Sequence, residues 1–304
     1  MIIVIGSFDG FHTGHQTLFK EAAILARELG VEWRVLTFSP HPQLLFPVED
    51  KRLLFTEKER ESIANYLSIP GIIKIPFTEK VAGMDPEEFV NNIEKEYRIH
   101  GIVVGKNFRF GHKRQGNVDY LALMADRKGW AFRSVDILKQ DGNPVSSTMI
   151  RGLVSCGLME NALKLLGYPF FIRNSVVAGE RRGRLLGYPT ANIDVPDQKV
   201  IPPDGVYACS VIFKGKIFPA ALNIGFNPTF FDVSSVRIEA HLIGFDDNLY
   251  GKEINIVFWK KIRGEISFNN IEDLSLQIGM DADEALKISN ENVKNCINLQ
   301  NLSN

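Results

Sequence analysis

Short apolar segments alternate with amphipathic ones up to Ile137, and that alternation constrains the fold more than any other feature of the chain. Ile2–Ile5, Trp33–Phe38, Ile72–Ile75, Gly101–Gly105 and Ala131–Ile137 read as strands. Between them, Gln16–Leu29 sets Leu18, Ala22, Leu25, Ala26 and Leu29 on one helical face. Thr56-Glu57-Lys58-Glu59 reads as a capping box opening a helix that runs to Leu67. Asp85-Pro86-Glu87-Glu88 opens another, with proline in the first turn, and Asn117–Lys128 is a further helix. Strands that alternate with helices imply a parallel sheet covered on both faces, with ligands at the carboxyl ends of its strands. Three unusual loops, starting at Gly6, Ser39 and Lys106, then share that edge.

The first loop is Gly6-Ser7-Phe8-Asp9-Gly10-Phe11-His12-Thr13-Gly14-His15, a glycine-rich turn running into a helix. A helix N-terminus offers unpaired N–H groups and the positive end of a dipole, so it attracts phosphate. His12 and His15 can donate hydrogen bonds to phosphate there. They could instead pair on a metal, although the sequence shows no third ligand at suitable spacing. The second loop, Ser39-Pro40-His41-Pro42, reads as a structural turn. The third, Gly105–Gly116, carries Lys106, Arg109, Lys113 and Arg114 with Phe108 and Phe110, a set suited to an anionic, planar ligand or to a solvated surface. Ser146, Ser147 and Thr148 lead into a helix with Arg151 one turn along.

The pattern changes beyond a boundary at 167–170. Phe170–Val177, Gly205–Phe213, Lys216–Ile224, Val236–Ile243 and Glu253–Phe258 are β-rich segments without intervening helices, which predicts a small antiparallel barrel. A helix follows from Ile271, with Leu274, Ile278, Ala282, Ala285 and Ile288 apolar. Within this half, Gly179–Asn192 mixes basic residues and glycines with a Pro-Thr-Ala-Asn tail; it is not a Walker A loop.

A length of 304 residues suits about two domains. The formal net charge of −1 gives no reason to expect a nucleic-acid track or an anionic membrane surface. Cys156, Cys209 and Cys296 are scattered, without CxxC spacing, and read as reduced thiols. The chain opens on a core-like strand and holds no apolar run of about 18 residues. The expectation is a cytoplasmic protein, without membrane or nucleic-acid partners, as a monomer or weak homo-oligomer.

The Gly6–His15 turn resembles the HxGH motif of the nucleotidyltransferase superfamily. With the preceding Phe-Asp-Gly it is similar to the adenylyltransferase module of prokaryotic bifunctional riboflavin kinase/FMN adenylyltransferases. Thr37–Pro42 resembles that family's TFxPHP segment, Val104–Gly111 its VGxDFxFG segment and Val145–Arg151 its ISSTxIR motif. Asn107 stands where an acidic residue is frequent, so it can hydrogen-bond a base or ribose but cannot supply a charge. In the second half, Gly183–Asn192 closely resembles the GRxLGxPTAN motif of riboflavin kinases, Asn223–Phe230 their NIGxxPTF, and Arg237–His241 with Phe245 and Tyr250 a further segment in the family's order.

The resemblance implies a Rossmann-like α/β nucleotidyltransferase domain over residues 1–167, with a parallel sheet, and a β-barrel riboflavin kinase domain with a C-terminal helix over 168–304. It implies His12, His15, Arg151 and Glu239 as catalytic. Gly6, Phe8, Asp9, Gly14, Asn107, Ser147, Thr148, Gly183, Arg184, Gly187 and Pro189 would serve the nucleotide. Arg109, Phe110 and Arg263 would serve the flavin, and Thr190 and Asn192 would hold Mg²⁺. Riboflavin, FMN and FAD would be substrate, intermediate and product, with ATP as co-substrate. Alternatives from the residues are one decayed site, a nucleotidyltransferase for another substrate, and a flavin-binding regulator without turnover. His241 shares a strand face with Glu239 and reads as structural.

Overall fold

A computed structural model describes residues 1–45, 52–179, 187–196, 198–227, 235–294 and 299–303. The first half runs β1 (Ile2–Ile5), α1 (Thr13–Leu29), β2 (Trp33–Ser39), α2 (Pro42–Leu45), α3 (Glu57–Tyr66), β3 (Ile72–Pro76), α4 (Glu79–Gly83), α5 (Pro86–Glu96), β4 (Gly101–Gly105), α6 (Val118–Lys128) and β5 (Ala131–Val135). A two-residue hairpin, β6 (Lys139–Gln140) and β7 (Asn143–Pro144), leads to α7 (Ser147–Ser155) and α8 (Met159–Leu166). The second half comprises β8 (Phe171–Val177), β9 (Ala191–Ile193), β10 (Gly205–Phe213), β11 (Lys216–Asn227), β12 (Ser235–Leu242), β13 (Glu253–Arg263) and α9 (Ile271–Val293). Residue contacts gather these into two compact units, Met1–Lys51 with Leu67–Ser147, and Arg52–Tyr66 with Thr148–Asn304.

The first unit is the expected parallel sheet, in the order β3-β2-β1-β4-β5. All four residues of β1 are buried, as a central strand covered on both faces requires. Ile3, Ile5, Ile102 and Val104 pack with Phe89, Val90 and Ile93 of α5 and Leu121, Met124 and Ala125 of α6. On the other face α1 buries Leu18, Phe19, Ala22, Leu25 and Ala26. Each of the larger side chains contributes about 1.5–3 kcal/mol of burial, and each alanine methyl less. Helix starts follow the sequence signals: Asp85 Oδ1 accepts from the Glu88 N–H at 2.8 Å, and Asn117 Oδ1 from the Tyr120 N–H at 2.8 Å. The strand order reverses between β1 and β4, so the loops that leave their carboxyl ends flank a topological switch point.

The second unit is a closed barrel in the order β10-β11-β12-β9-β8-β13, antiparallel at each pairing. Sequence periodicity gives five of its strands. It misses β9, three residues inside a loop motif, because three residues carry no alternation. It also misses α4 and the β6–β7 hairpin, and it ends β13 at Phe258, where the strand continues to Arg263. On α9 Ala282, Ala285 and Ile288 are buried against the barrel, while Leu274 and Ile278 are half-buried.

Residues 52–66 precede β3 in sequence yet pack with the barrel's unit. The capping box forms reciprocally: the Glu59 N–H donates to Thr56 Oγ1 at 3.3 Å, and the Thr56 N–H to Glu59 Oε2 at 2.7 Å. Glu59 is fully buried, which the box alone does not require. Its Oε2 also accepts from Lys199 Nζ at 2.7 Å, and its Oε1 from the Arg173 N–H at 2.7 Å. Lys199 Nζ further donates to the Leu54 carbonyl at 2.7 Å and lies 4.5 and 4.7 Å from the ring centroids of Phe55 and Phe170.

Candidate active sites

The turn after β1 is shaped by its glycines and phenylalanines. A Cβ on Gly6 would lie 2.6 Å from Phe8 Cζ, so only glycine lets the buried Phe8 ring fold back over the strand end. Gly10 takes φ 115°, a conformation that L side chains rarely adopt. Phe8 meets His15 edge-on, with centroids 4.8 Å apart, and His15 stacks on His12 at 3.6 Å. His12 sits at the N-cap of α1 without capping it through its side chain. The Nδ1 atoms of both histidines are buried and have no hydrogen-bond partner. Burial lowers the pKa of His12 to about 4, and burial together with the neighbouring His12 pushes His15 well below its ordinary value. Both imidazoles are therefore neutral near pH 7, acting as hydrogen-bonding groups rather than fixed charges.

Two cavities adjoin this pair within the first unit, and both are lined by His15, Leu18, Gly105 and Asn107. The smaller, about 180 Å³, adds His12, Gly14 and Ser147. The larger, about 890 Å³, adds Gly6, Phe8, Phe38, Phe77, Arg109 and Phe110. Lys113 and Arg114 line the larger cavity, whereas Lys106 is turned into an ion pair with Asp136 at 2.8 Å. Phe110 is also a core residue, packed on Phe89 and stacked on Phe108. Phe77 went unremarked in the sequence; the signal for it was its place at the carboxyl end of β3, on the edge already expected to hold ligands. Asp9 is buried and lines neither cavity. The Ser39 turn is tied to the first turn: His41 Nδ1 accepts from the Gln43 N–H at 3.2 Å, so its Nε2–H faces the Ser7 carbonyl at 3.3 Å. Thr148 and Arg151 lie on α7, where Arg151 Nη2 donates to Thr148 Oγ1 at 3.0 Å.

In the barrel, Glu239 of β12 stands opposite both Asn192 of β9 and Asn223 of β11. Directly opposed residues share a face. Their chain neighbours Ile238, Ala240, Ala191, Ile193, Leu222 and Ile224 are buried, so the polar row lies on the outer face. Asn223 was not singled out from sequence, because cross-strand register is invisible there. Arg237 Nη1 lies 3.7 Å from Glu239 Oε1. A Cβ on Gly179 would overlap the Asn192 amide, so a glycine is required beside it. Gly187 takes φ 83°, and Pro189 and Thr190 line a cavity of about 590 Å³ with Phe245, Leu249 and Tyr250. Gly183 and Arg184 lie outside the described residues.

Arg263 forms an ion pair with α9. Its Nε and Nη2 donate to the Asp281 carboxylate of α9 at 2.7–3.1 Å, and its Nη1 to the Gly264 carbonyl at 2.9 Å. No group of three or more His, Cys, Asp or Glu is placed to hold a metal among the described residues. Thr190 and Asn192 nevertheless offer a hydroxyl and an amide oxygen beside a carboxylate. Such hard oxygen donors fit Mg²⁺ when phosphates and water complete the shell.

Residues 1–149 match the family described as FAD synthetase, and residues 166–289 the family described as riboflavin kinase. A Listeria monocytogenes bifunctional riboflavin kinase/FMN adenylyltransferase is 33% identical over 283 residues, covering 92% of this chain and 90% of the relative. Proteins of the same description from Bacillus subtilis and Escherichia coli K12 are 32% and 34% identical, covering 94% and 92% of this chain and 92% and 90% of theirs. A Streptococcus pneumoniae crystal structure, described as a macrolide-efflux protein, superposes with a TM-score of 0.85 at 30% identity, covering 93% of this chain and 92% of that one. Among the described residues here, no helix is long and apolar enough to cross a membrane.

Proposed function

The chain belongs to the bifunctional riboflavin kinase/FMN adenylyltransferase family, and from that premise we propose how its residues divide the work. The chain phosphorylates riboflavin to FMN and joins FMN to AMP, giving FAD, with ATP as co-substrate in both steps. Residues 1–167 carry adenylyl transfer and residues 168–304 carry the kinase, in the cytoplasm.

In the kinase step Glu239 accepts the proton of the riboflavin 5′-hydroxyl as its oxygen attacks the γ-phosphorus of ATP, and ADP departs. Thr190 and Asn192 would hold Mg²⁺, which when bound would neutralise phosphate charge. In the second step a phosphate oxygen of FMN attacks the α-phosphorus of another ATP, and pyrophosphate leaves. That oxygen is already anionic, so no strong base is needed. Neutral His12 and His15 donate hydrogen bonds to the α-phosphate, and Ser147 and Arg151, on one helix, serve the departing pyrophosphate. The aromatic-lined cavity with Arg109 and Phe110 receives the flavin of FMN. Arg263 orients the end of β13 through Asp281.

The observation that carries this reading is the row Asn192–Glu239–Asn223 on the same chain as a stacked, neutral histidine pair at a parallel-sheet switch point. Incubation with riboflavin, ATP and Mg²⁺, with FMN and FAD resolved by chromatography, tests it. Glu239→Ala should stop FMN formation and leave FMN-to-FAD conversion; His15→Ala should do the reverse and accumulate FMN. Loss of both activities in a folded single variant, or flavin bound without product, would count against the division.

A further inference from the structure

His241 has no part in the steps above, yet it touches the segment that carries the proposed Mg²⁺ residues. It follows Arg237 and Glu239 on one face of β12 by the two-residue period of a strand. Its Nδ1 lies 3.0 Å from the Pro189 carbonyl oxygen. A carbonyl only accepts, so the proton sits on Nδ1. The Pro189 carbonyl and the Thr190 N–H belong to one planar peptide unit. Fixing that oxygen fixes the plane from which the Thr190 side chain projects.

Tyr188, the residue before Pro189, packs against His241. Its ring meets His241 edge-on, with centroids 5.3 Å apart and planes at 85°. Its hydroxyl lies 2.9 Å from where a Cβ on Gly279 would stand, so the glycine leaves room for the phenol against α9. Pro189 and Thr190 line the 590 Å³ cavity, and β9 starts at the next residue, Ala191. The Pro189–Thr190 peptide is thus the last piece of loop before the barrel, and it is held by a side chain two residues beyond Glu239.

We propose that His241, backed by Tyr188, is a positioning residue for the kinase step: by donating from Nδ1 to the Pro189 carbonyl it sets the orientation in which Thr190 faces the ATP phosphates. The proposal rests on the kinase reading of the barrel. Asparagine places an amide where histidine has Nδ1 and can donate to the same carbonyl. Aspartate has the same shape but, when ionised, only acceptors.

The test uses the full-length protein and reads both activities. His241→Ala and His241→Asp should raise the KM for ATP in FMN formation about tenfold or more, the size of one lost, oriented hydrogen bond. FMN-to-FAD conversion on the same chain should stay within twofold. His241→Asn should return the KM to within about threefold of wild type. Independently of turnover, nitrogen-15 NMR of the ligand-free protein should find the His241 proton on Nδ1. An unchanged KM in an active His241→Asp enzyme, parallel loss of both activities, failure of asparagine to outperform aspartate, or a proton on Nε2 alone would each overturn the positioning role. A wild type that forms no FMN from riboflavin would overturn the kinase reading, and the positioning role with it.

Discussion

Replacing Glu59 by glutamine should cost the barrel unit a large part of its stability, although residue 59 lies far from every barrel strand in sequence. The side chains of Glu59 and Lys199 are both fully excluded from solvent, with Oε2 and Nζ 2.7 Å apart. The carboxylate also accepts from the Thr56 and Arg173 N–H groups, so two oxygens serve three donors. Glutamine keeps the shape but removes the charge and turns one acceptor into a donor. Leaving the Lys199 ammonium without its counter-charge costs about 3–5 kcal/mol, and a backbone N–H left facing a donor adds about 1–3 kcal/mol. The Leu54 carbonyl and the rings of Phe55 and Phe170 still face the ammonium and moderate the loss. A net loss of about 4–6 kcal/mol compares with about 5–15 kcal/mol for a whole domain. Adding Lys199→Met removes the stranded charge at similar volume and should recover about 2 kcal/mol. Urea titration of wild type, both single variants and the double variant, followed by circular dichroism and by residual FMN formation, measures the cycle. A Glu59→Gln protein within about 1 kcal/mol of wild type, or a double variant less stable than either single one, would refute the electrostatic account.

Gly6→Ala drives a methyl into the Phe8 ring and, through it, against His15; FAD formation should fall about tenfold to a hundredfold with FMN formation unchanged, as read by product chromatography. Acid should weaken the first unit. His12 titrates near 6.5 when unfolded and at about 4 when folded, so the unfolded chain binds protons first; the stability is complete above about pH 6.5 and about 3 kcal/mol is lost on the way down through pH 4. His12→Asn should flatten that limb in urea titrations at stepped pH, and an unchanged slope would contradict neutral burial. Arg263→Gln should lower the melting temperature, and Asp281→Asn added to it should restore part of the loss. A normal melting temperature with a much raised KM for riboflavin would instead make Arg263 a flavin contact.

Local patterns in the sequence carried a large part of this fold. The Asp85 and Asn117 caps, the α1 stripe and the fully apolar β1 each depend on residues within one turn or one strand, and each forms as its chemistry dictates. The 56–59 capping box shows where such reasoning stops. Its local bonds form as expected, yet its glutamate is also the counter-charge of Lys199, 140 residues away. No periodicity marks a lysine that will be buried, since burial of a charge is set by its partner and not by its neighbours in sequence. β9 escaped notice for a related reason: three residues become a strand only because β12 and β8 offer edges on either side.

The two sites were legible to different depths because they are built differently. The histidine turn is contiguous, so one stretch of ten residues names its strand end, its glycines and both imidazoles, and the parallel topology then supplies the edge on which ligands collect. Asn107 reaches that edge from the Lys106 loop, which the alternation of strands and helices had already placed there, whereas Phe77 and Ser147 come from segments that were not among the loops expected there. The barrel site is a matter of register. Asn192, Glu239 and Asn223 form a row only because β9, β12 and β11 pair at those residues, and a shift of one would send Glu239 to the opposite face. Arg263 illustrates the remaining ambiguity: an arginine suited by its planar fork to an anionic ligand is equally suited to a carboxylate of its own chain, and Asp281 takes that fork with two of its nitrogens. Residue type therefore reports which chemistry is possible, while the partner that packing brings within 3 Å decides which is used.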